Sequence, residues 1–354
     1  MKGLVLAGGR GSRLRPLTHT GPKQLLPVAN RPILFYVLDT LVAAGVRDIV
    51  VLLAPDTGDE IRAAVDAAAP TWDAVITYVT QPAPLGLAHA VATARPLLGD
   101  APFCMFLGDN LIGEDIGPHV AAFRDAPGLA ASVLLTEVDD PRQFGVAEVD
   151  TTGRVVRLVE KPAVPASNLA LVGIYFFRAA VHAAITTLTP SARGELEITD
   201  ALTTLLATGH DVRFARLTAW WLDTGKKDDL LRANEAVLAT HLTPCITGAL
   251  EKCTVSGAVR VEAGAVVRGS HLVGPVVIGA GAQVLDSTVG PSVSIGPGAV
   301  VERSVVTRSV LYEQATVHDA HLRDAVLGRR AAVRGPGGPL TVLLGDDSRV
   351  DFGG

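Results

Sequence analysis

A chain of 354 residues is long for one compact unit and comfortable for two domains, and with 48% apolar and 19% charged residues it can bury a sizeable core, which excludes global disorder. Its formal net charge of −5 excludes sequence-independent nucleic-acid binding, which needs broad basic surface, so an anionic ligand has to be held by a local cluster of cations. The cysteines Cys104, Cys245 and Cys253 form no C-x-x-C pair, so they read as free thiols in a reducing compartment rather than as a zinc site.

The first part of the chain alternates between two periodicities. Leu4, Val5 and Leu6 make a short apolar strand that ends in glycines, and the run is too short for a signal peptide. Leu34, Val37, Leu38 and Leu41 then recur on one helical face, and Gly45 stands where that helix should stop. The continuous apolar run at 49–53 reads as a strand covered on both faces, 75–79 as the next strand and 103–107 as another buried one, with helices over 60–68 and 87–98 between them. This βαβ alternation predicts an α/β domain built on a mostly parallel, Rossmann-like sheet, with ligands beyond the carboxyl ends of its strands. Residues 146–149 and 155–159, joined by a turn at 150–153, read as an antiparallel hairpin inserted in that domain. One more apolar strand over 171–177 and a helix over 228–238 complete it.

After Pro244 the pattern becomes a hexad. Val255, Val261 and Val267 are six apart, as are Leu272, Ile278 and Val284, then Val289, Ile295 and Val301, then Leu311 and Val317, and Leu327 and Val333. Ile278-Gly279, Ile295-Gly296 and Leu327-Gly328 are each followed by an alanine, at Ala282, Ala299 and Ala331. One inward aliphatic and one small residue per six suit one flat face of a triangular coil, whereas a β-sandwich would alternate with period two. The expected organisation is therefore a catalytic domain over 1–240 and a left-handed parallel β-helix of hexapeptide repeats, with a tail, over 241–354. No run is long enough to be a membrane-spanning helix, so a cytoplasmic protein is expected, with neither membrane nor nucleic acid as a partner.

The residue types that carry chemistry follow the strands. Gly8, Gly9, Gly11 and Ser12 lie in a loop directly after the first strand, where absent side chains let backbone N–H groups approach a phosphate. The loop lacks the third glycine of a dinucleotide fingerprint and the Gly-Lys-Ser/Thr of a Walker loop. Arg13, Arg15 and Lys23 add cations, and Pro16, Pro22 and Pro27 keep the stretch out of helix, so it reads as a triphosphate cradle, or else as a solvated turn. Asp109, after the strand at 103–107, suits a Mg²⁺ ion on phosphate oxygens, and Asp223 beside Trp220 and Trp221 is the second carboxylate such an ion calls for. Each aspartate taken alone also fits a cap or turn. Glu160 and Lys161 at the end of the hairpin suit sugar hydroxyls and a sugar 1-phosphate, and Arg193 is a further phosphate contact with a weaker claim.

Seven pieces in order resemble the glucose-1-phosphate thymidylyltransferases, within the wider sugar-nucleotide pyrophosphorylase family. They are the glycine loop running on through Pro22-Lys23-Gln24-Leu25-Leu26-Pro27, Gln81 to Ala88, Leu107-Gly108-Asp109-Asn110, Phe144-Gly145-Val146, Val159-Glu160-Lys161-Pro162, the stretch from Gly194 to Asp200, and Asp223-Thr224-Gly225. The resemblance covers residues 1 to about 235. It implies that Arg13 stabilises the α-phosphorus transition state, that Lys23 and Lys161 hold the phosphates of the two substrates, and that Asp109 and Asp223 ligate Mg²⁺. Gln81 and Gly86 would read a pyrimidine, with Gly8 and Gly11 close to the nucleotide; Gly145, Glu160 and Val172 would line the sugar pocket, and Asn110 joins the substrate-binding set. The implied partners are dTTP, or UTP, and glucose 1-phosphate, and a homo-oligomer is expected.

His89, Leu85 and the β-helical tail depart from the short single-domain members and look like a long-form subgroup that includes enzymes of antibiotic deoxysugar pathways. Base choice is left more open than reaction type. Two other readings stand beside the enzyme: a non-catalytic sensor of sugar nucleotides, and a tail with acyltransferase activity, for which His271, His318 and His321 are the available bases.

Overall fold

The computed structural model describes residues 1–150, 154–336 and 338–353. Along the chain, β1 (Lys2–Leu6) is followed by β2 (Pro27–Val28), β3 (Arg31–Pro32), α1 (Ile33–Ala43), β4 (Asp48–Leu53), α2 (Gly58–Ala68), β5 (Val75–Thr80) and α3 (Leu87–Leu98). Next come β6 (Phe103–Leu107), β7 (Asn110–Ile112), α4 (Gly117–Arg124), β8 (Leu129–Glu137), β9 (Gly145–Val149), β10 (Val155–Glu160) and β11 (Leu169–Phe177). Then α5 (Ala180–Thr186), α6 (Ile198–Ala207), β12 (Asp211–Arg216), β13 (Trp221–Asp223) and α7 (Lys227–His241) precede a succession of two- and three-residue strands, from β14 (Cys245–Ile246) to β32 (Arg349–Asp351). The repeat pattern changes near residue 240, but packing groups the chain differently: Met1–Gly9 with Leu34–Asp223 forms one compact unit, and Arg10–Ile33 with Thr224 onward forms the other.

The first unit is built on a nine-stranded mixed sheet. Strands β6, β1, β4 and β5 are parallel and adjacent in that order, with Leu6 opposite both Leu107 and Leu52, and Leu52 opposite Val79. β1 and β4 are buried almost throughout, as expected for strands covered on both faces, while β5 at the edge is half exposed. Beyond β6 the sheet turns antiparallel through β11, which pairs with β6, β8 and β9. The hairpin β9–β10 forms as expected, with Glu160 opposite Gly145. Residues 151–153 of its turn lie outside the described residues, and Asp150 N–H donates to the Arg154 carbonyl at 2.9 Å just outside them. Leu4, Val50, Val91, Phe103, Met105, Val133 and Phe177 belong to one buried apolar cluster.

The second unit contains the β-helix, of the left-handed hexapeptide-repeat type. Its strands stack coil upon coil into three parallel sheets, of seven, seven and five strands. The register gives the coil length: Val259 lies opposite Val276 and Val276 opposite Val293, a step of 17 residues, and Ser294 lies opposite Val310 and Val310 opposite Val326, a step of 16, close to three hexads. Val261, Val267, Ile278, Val284, Val289, Ile295, Val301, Leu311, Val317, Leu327 and Val333 are all fully buried. Val255, the first member of the hexad, is 40% exposed because it sits in the first coil, which stacks on a neighbour from one side only. One corner carries a column of left-handed residues, Gly269, Asp286 and Arg303, each followed by a buried serine. The hydroxyls of Ser270, Ser287 and Ser304 accept from the N–H of Ser287, Ser304 and Ala320 in the next coil, at 3.0, 3.1 and 3.1 Å, which satisfies those three amides.

Candidate active site

In the first unit the parallel strands bring several loops to one rim. The Ala7 N–H donates to the Leu52 carbonyl, Gly108 N–H to Leu6, and Gln81 N–H to Leu53, at 2.8, 2.9 and 2.9 Å. Gly8, Gln81 and Asp109 therefore all follow carboxyl ends of strands in one parallel stretch of the sheet. β1 lies between β4 and β6, so the connections leave it in opposite directions, the switch point at which open α/β sheets bind ligands.

The Gln81 side chain is nearly buried, and its amide donates to the Gly86 carbonyl at 3.2 Å and meets His89 Nδ1 at 2.8 Å. Gly86 has φ +101°, and a Cβ there would lie 2.4 Å from the Leu196 carbonyl oxygen. Leu196 N–H donates to the Leu85 carbonyl and Ala88 N–H to that of Leu196, so residues 85–88 are stitched to the 195–197 segment. Gly8 approaches the same glutamine: a Cβ on it would stand 3.8 Å from Gln81 Oε1.

Asp109 and Asp223 are brought together by the two-stranded pair β7–β13, in which Asn110 is the partner of Asp223. Directly opposed residues in an antiparallel pair are about 4.5–5.5 Å apart at Cα, so the two carboxylates arise from neighbouring backbone positions. The Asn110 amide donates to Asp109 Oδ1 at 2.9 Å, and the Trp221 indole N–H donates to Asn110 Oδ1 at 2.7 Å. Asn110 thus orients one aspartate and ties it to the strand that bears the other. A register shift in β11 between Leu171 and Tyr175 sets Val172 and Gly173 there, and a Cβ at Gly173 would be 2.6 Å from Asn110 Oδ1. No group of three or more His, Cys, Asp or Glu fit for a metal occurs among the described residues. Two hard carboxylates suit Mg²⁺, which completes its shell with phosphate and water.

Sequence reasoning missed Glu114. Its carboxylate accepts from the N–H and hydroxyl of Thr218 and from the N–H of Ala219, at 2.7, 2.9 and 3.1 Å, and meets His119 Nε2 at 2.9 Å. It fastens the segment leading into β13, and hence Asp223, to the segment following β7. Burial by itself would raise its pKa, but the hydrogen bonds from His119, Thr218 and Ala219 prevail and hold it down to about 2. Its one signal in the sequence was an acidic residue two positions beyond a short apolar run.

The third cluster is acidic. Gly145 has no room for a side chain: a Cβ would come within 2.6 Å of Leu171, 2.9 Å of Thr199 and 3.2 Å of Glu160 Oε2. Glu160 Oε1 lies 3.4 Å from Lys161 Nζ and 3.4 Å from Arg193 Nη1. The Arg193 guanidinium also meets Glu195 at 3.0 Å and Glu197 at 3.3 Å, so its single positive charge is shared among three carboxylates. Burial raises the pKa of Glu197, against the lowering effects of Ser191 and Arg193. Lys161 takes a left-handed conformation, φ +42°, held by its N–H on the Phe144 carbonyl at 3.0 Å. Phe144 meets Trp221 edge to face at 5.0 Å, and Val172 is fully buried. The Thr199 hydroxyl, buried beside Gly145, has no hydrogen-bond partner among the described residues.

Gly11, Ser12, Arg13 and Lys23 lie in the second unit. Gly11 is left-handed at φ +62°, and a Cβ on it would lie 2.8 Å from Lys23 Cβ. The Thr18 hydroxyl donates to the Gly11 carbonyl at 2.8 Å, and Leu14 is fully buried. The loop is therefore folded on itself, with Ser12 and Arg13 in one 3-10 turn and Lys23 in another. Partial burial raises the pKa of the half-buried Asp229 carboxyl on α7, against the lowering effects of Lys226, Arg232 and Arg13. The β-helix histidines do not form a cluster: His271 bonds to Thr254, His318 pairs with Glu302 at 3.1 Å on a different sheet, and His321 is half-buried. All three cysteines are free, with Cys104 buried.

The model of the nucleotidyl transferase family matches residues 2–240. Over 99% of its length the chain is 46% identical to a glucose-1-phosphate thymidylyltransferase of Streptomyces griseus, covering 99% of that protein. It is 50% identical over 280 residues to the enzyme of that name from Streptomyces antibioticus, 79% of this chain and 78% of the other. Among solved structures, a Bacillus anthracis protein assigned as a glucose-1-phosphate thymidylyltransferase, in complex with sucrose, superposes with a TM-score of 0.63 at 35% identity, over 69% of this chain and 96% of that one. A UDP-glucose pyrophosphorylase complexed with UDP-glucose shares the fold, with a TM-score of 0.61 at 23% identity over 67% of this chain and 98% of that one. A family match across the whole α/β part and a relative aligned from end to end give the same answer: the chain belongs to the nucleotidyl transferase family.

Proposed function

We propose that the chain transfers a thymidylyl group from dTTP to glucose 1-phosphate, giving dTDP-glucose and pyrophosphate, with UTP as the alternative donor. The observation that carries this reading is the pairing of Asn110 with Asp223, which sets two carboxylates at neighbouring positions beyond a parallel strand, in a chain 46% identical over nearly its full length to an enzyme of that name. A nonbridging oxygen of the sugar phosphate attacks the α-phosphorus. The bond from that phosphorus to the oxygen bridging to the β-phosphate breaks, and pyrophosphate leaves with the electron pair. The attacking group is already anionic, so no side-chain base is required and catalysis is positioning plus charge stabilisation.

In this reading Gly8, Gly9, Gly11, Ser12, Arg13 and Lys23 are assigned to the triphosphate and Lys161 to the sugar phosphate. Asp109 and Asp223 would hold a Mg²⁺ ion, which when bound neutralises phosphate oxygens. Gln81 and Gly86 contact the base; Glu160, Gly145, Val172 and Asn110 line the sugar side. Arg193, already shared among three carboxylates, keeps the acidic cluster in shape beside the substrate. The proposed catalytic module is residues 1–240, the span of the family match.

Pyrophosphate release by the purified chain, with Mg²⁺, glucose 1-phosphate and either dTTP or UTP, tests the reading. Turnover with dTTP is expected, and Arg13→Ala and Asp109→Ala should each lower it by about 10²–10³-fold, the usual effect of deleting one electrostatic contact to a transition state. No pyrophosphate from either triphosphate, or near-parental turnover in both variants, would overturn it.

A further inference from the structure

The β-helix carries a column of aliphatic-glycine pairs, interrupted once by Leu311-Tyr312, and each glycine is pressed from the next coil. A Cβ at Gly279 would lie 2.7 Å from the Pro297 nitrogen, one at Gly296 2.6 Å from the Tyr312 carbonyl carbon, and one at Gly328 2.5 Å from the Asp346 nitrogen. Gly345, after Leu344, is the last member of this column. What presses on it is Pro16: a Cβ at Gly345 would lie 3.0 Å from both the Pro16 oxygen and Pro16 Cβ. The segment between Arg13 and Lys23 therefore stands where another coil would stack. The open end of a repeat stack needs such a cap, because its last coil otherwise exposes its stacking face.

The contact is also hydrogen-bonded. Asp346, with a side chain only 6% exposed, accepts from the Arg329 N–H at 2.7 Å and from the Arg329 guanidinium at 3.2 Å, which ties the final coil to the one before. Its second oxygen also accepts from the Thr20 hydroxyl at 2.8 Å. Beyond Lys23 the same segment is fastened again. The Asn30 amide donates to the Ile295 carbonyl at 2.7 Å, and the Ala29 N–H donates to Asn234 Oδ1 at 2.8 Å. Asn234, on α7 and fully buried, takes the Ser294 hydroxyl on that same oxygen at 2.6 Å. Lys23 thus lies between two anchors on the β-helix, and Arg13 just ahead of the first.

We propose that the β-helix is a jig for the phosphate loop: its terminal coil, through Gly345 and Asp346, and its middle coil, through Asn234, hold the Arg13–Lys23 segment in the shape that receives the triphosphate. Asp346, Thr20 and Asn234 are positioning residues, and none of them touches substrate. The proposal rests on the assignment of Arg13 and Lys23 to the triphosphate. Misplacing a catalytic group by about 1 Å can cost on the order of 10²-fold in rate, so a soft anchor should be visible in kinetics.

The test compares Thr20→Val, Thr20→Ser and Asp346→Ala in the full chain, by steady-state kinetics and by amide hydrogen exchange over residues 10–25. Thr20→Val and Asp346→Ala should each lower kcat/KM for dTTP by about 5–50-fold, within the range expected for misplaced groups. The KM for glucose 1-phosphate should stay within about twofold, Thr20→Ser should restore the parental values, and the double variant should be no worse than the more affected single one. Exchange over 10–25 should quicken in both damaging variants. Unchanged exchange, or quickened exchange with parental dTTP kinetics, would overturn the proposal, as would an equal loss for both substrates. If Asp346→Ala does not fold, Thr20→Val decides alone. An inactive parent chain would sink the catalytic reading by itself and leave the exchange comparison to decide whether the anchor exists.

Discussion

Glu114 shows how much one carboxylate can organise. It is 17% exposed and accepts three hydrogen bonds from the segment that leads to Asp223. Because its folded pKa, about 2, lies below the ordinary carboxylate value, its contribution is fully present above about pH 4.5 and is lost as pH falls through 2. Glu114→Gln should therefore lower stability at pH 7 by about 1.5–3 kcal/mol, the range for hydrogen bonds to a charged acceptor. The gap between variant and parent should close in acid, and urea unfolding at pH 7, 4 and 2.5 measures it. A gap that does not change with pH would deny the carboxylate this role.

At the scale of elements, the loop into α3 is governed by Gly86. Its φ of +101° is poorly accessible to a side chain, and a Cβ would strike the Leu196 carbonyl oxygen. Gly86→Ala should cost about 2–4 kcal/mol, combining backbone strain with displacement of the 195–197 segment. It should also weaken binding of the nucleotide more than of the sugar phosphate, since Gln81 donates to the Gly86 carbonyl. Thermal unfolding together with KM for each substrate would check both parts. The glycine itself was legible in the sequence as part of a motif. The reason for it was not, because Leu196 is far along the chain and becomes its neighbour only through tertiary packing.

For the whole molecule, the β-helix is a stack in which each coil rests on its neighbours, so damage to one inward aliphatic should be felt by the coils on either side. Ile278, fully buried, lies between Val261 and Ile295 in the parallel ladder. Ile278→Ala should destabilise by about 2–5 kcal/mol, the cost of a large-to-small change in a core that cannot fully collapse. Circular dichroism across a urea transition reads that loss directly. A change below about 0.5 kcal/mol, the level of an indifferent surface substitution, would mean that the hexad residues do not form a continuous core.

The buried strands and the β-helix were legible in the sequence because they rest on local periodicity: continuous apolar runs for β4 and β6, and a six-residue aliphatic step for the β-helix. The short helices α4 and α5, of 8 and 7 residues, offer too few turns to establish a helical period, and β12 is an edge strand with a broken apolar pattern. Motif order nominated the candidate site residues, but their neighbours are a matter of tertiary structure. The pairing of Asn110 with Asp223, the hold of Glu114 on Thr218, and the gathering of three carboxylates by Arg193 all join positions by contacts that no local pattern encodes. The same holds for the packing that groups residues 10–33 with the β-helix rather than with the strand they follow. Periodicity reports which face of an element is buried. It does not report what is buried against it, and that complementary surface is chosen only when the whole chain has folded.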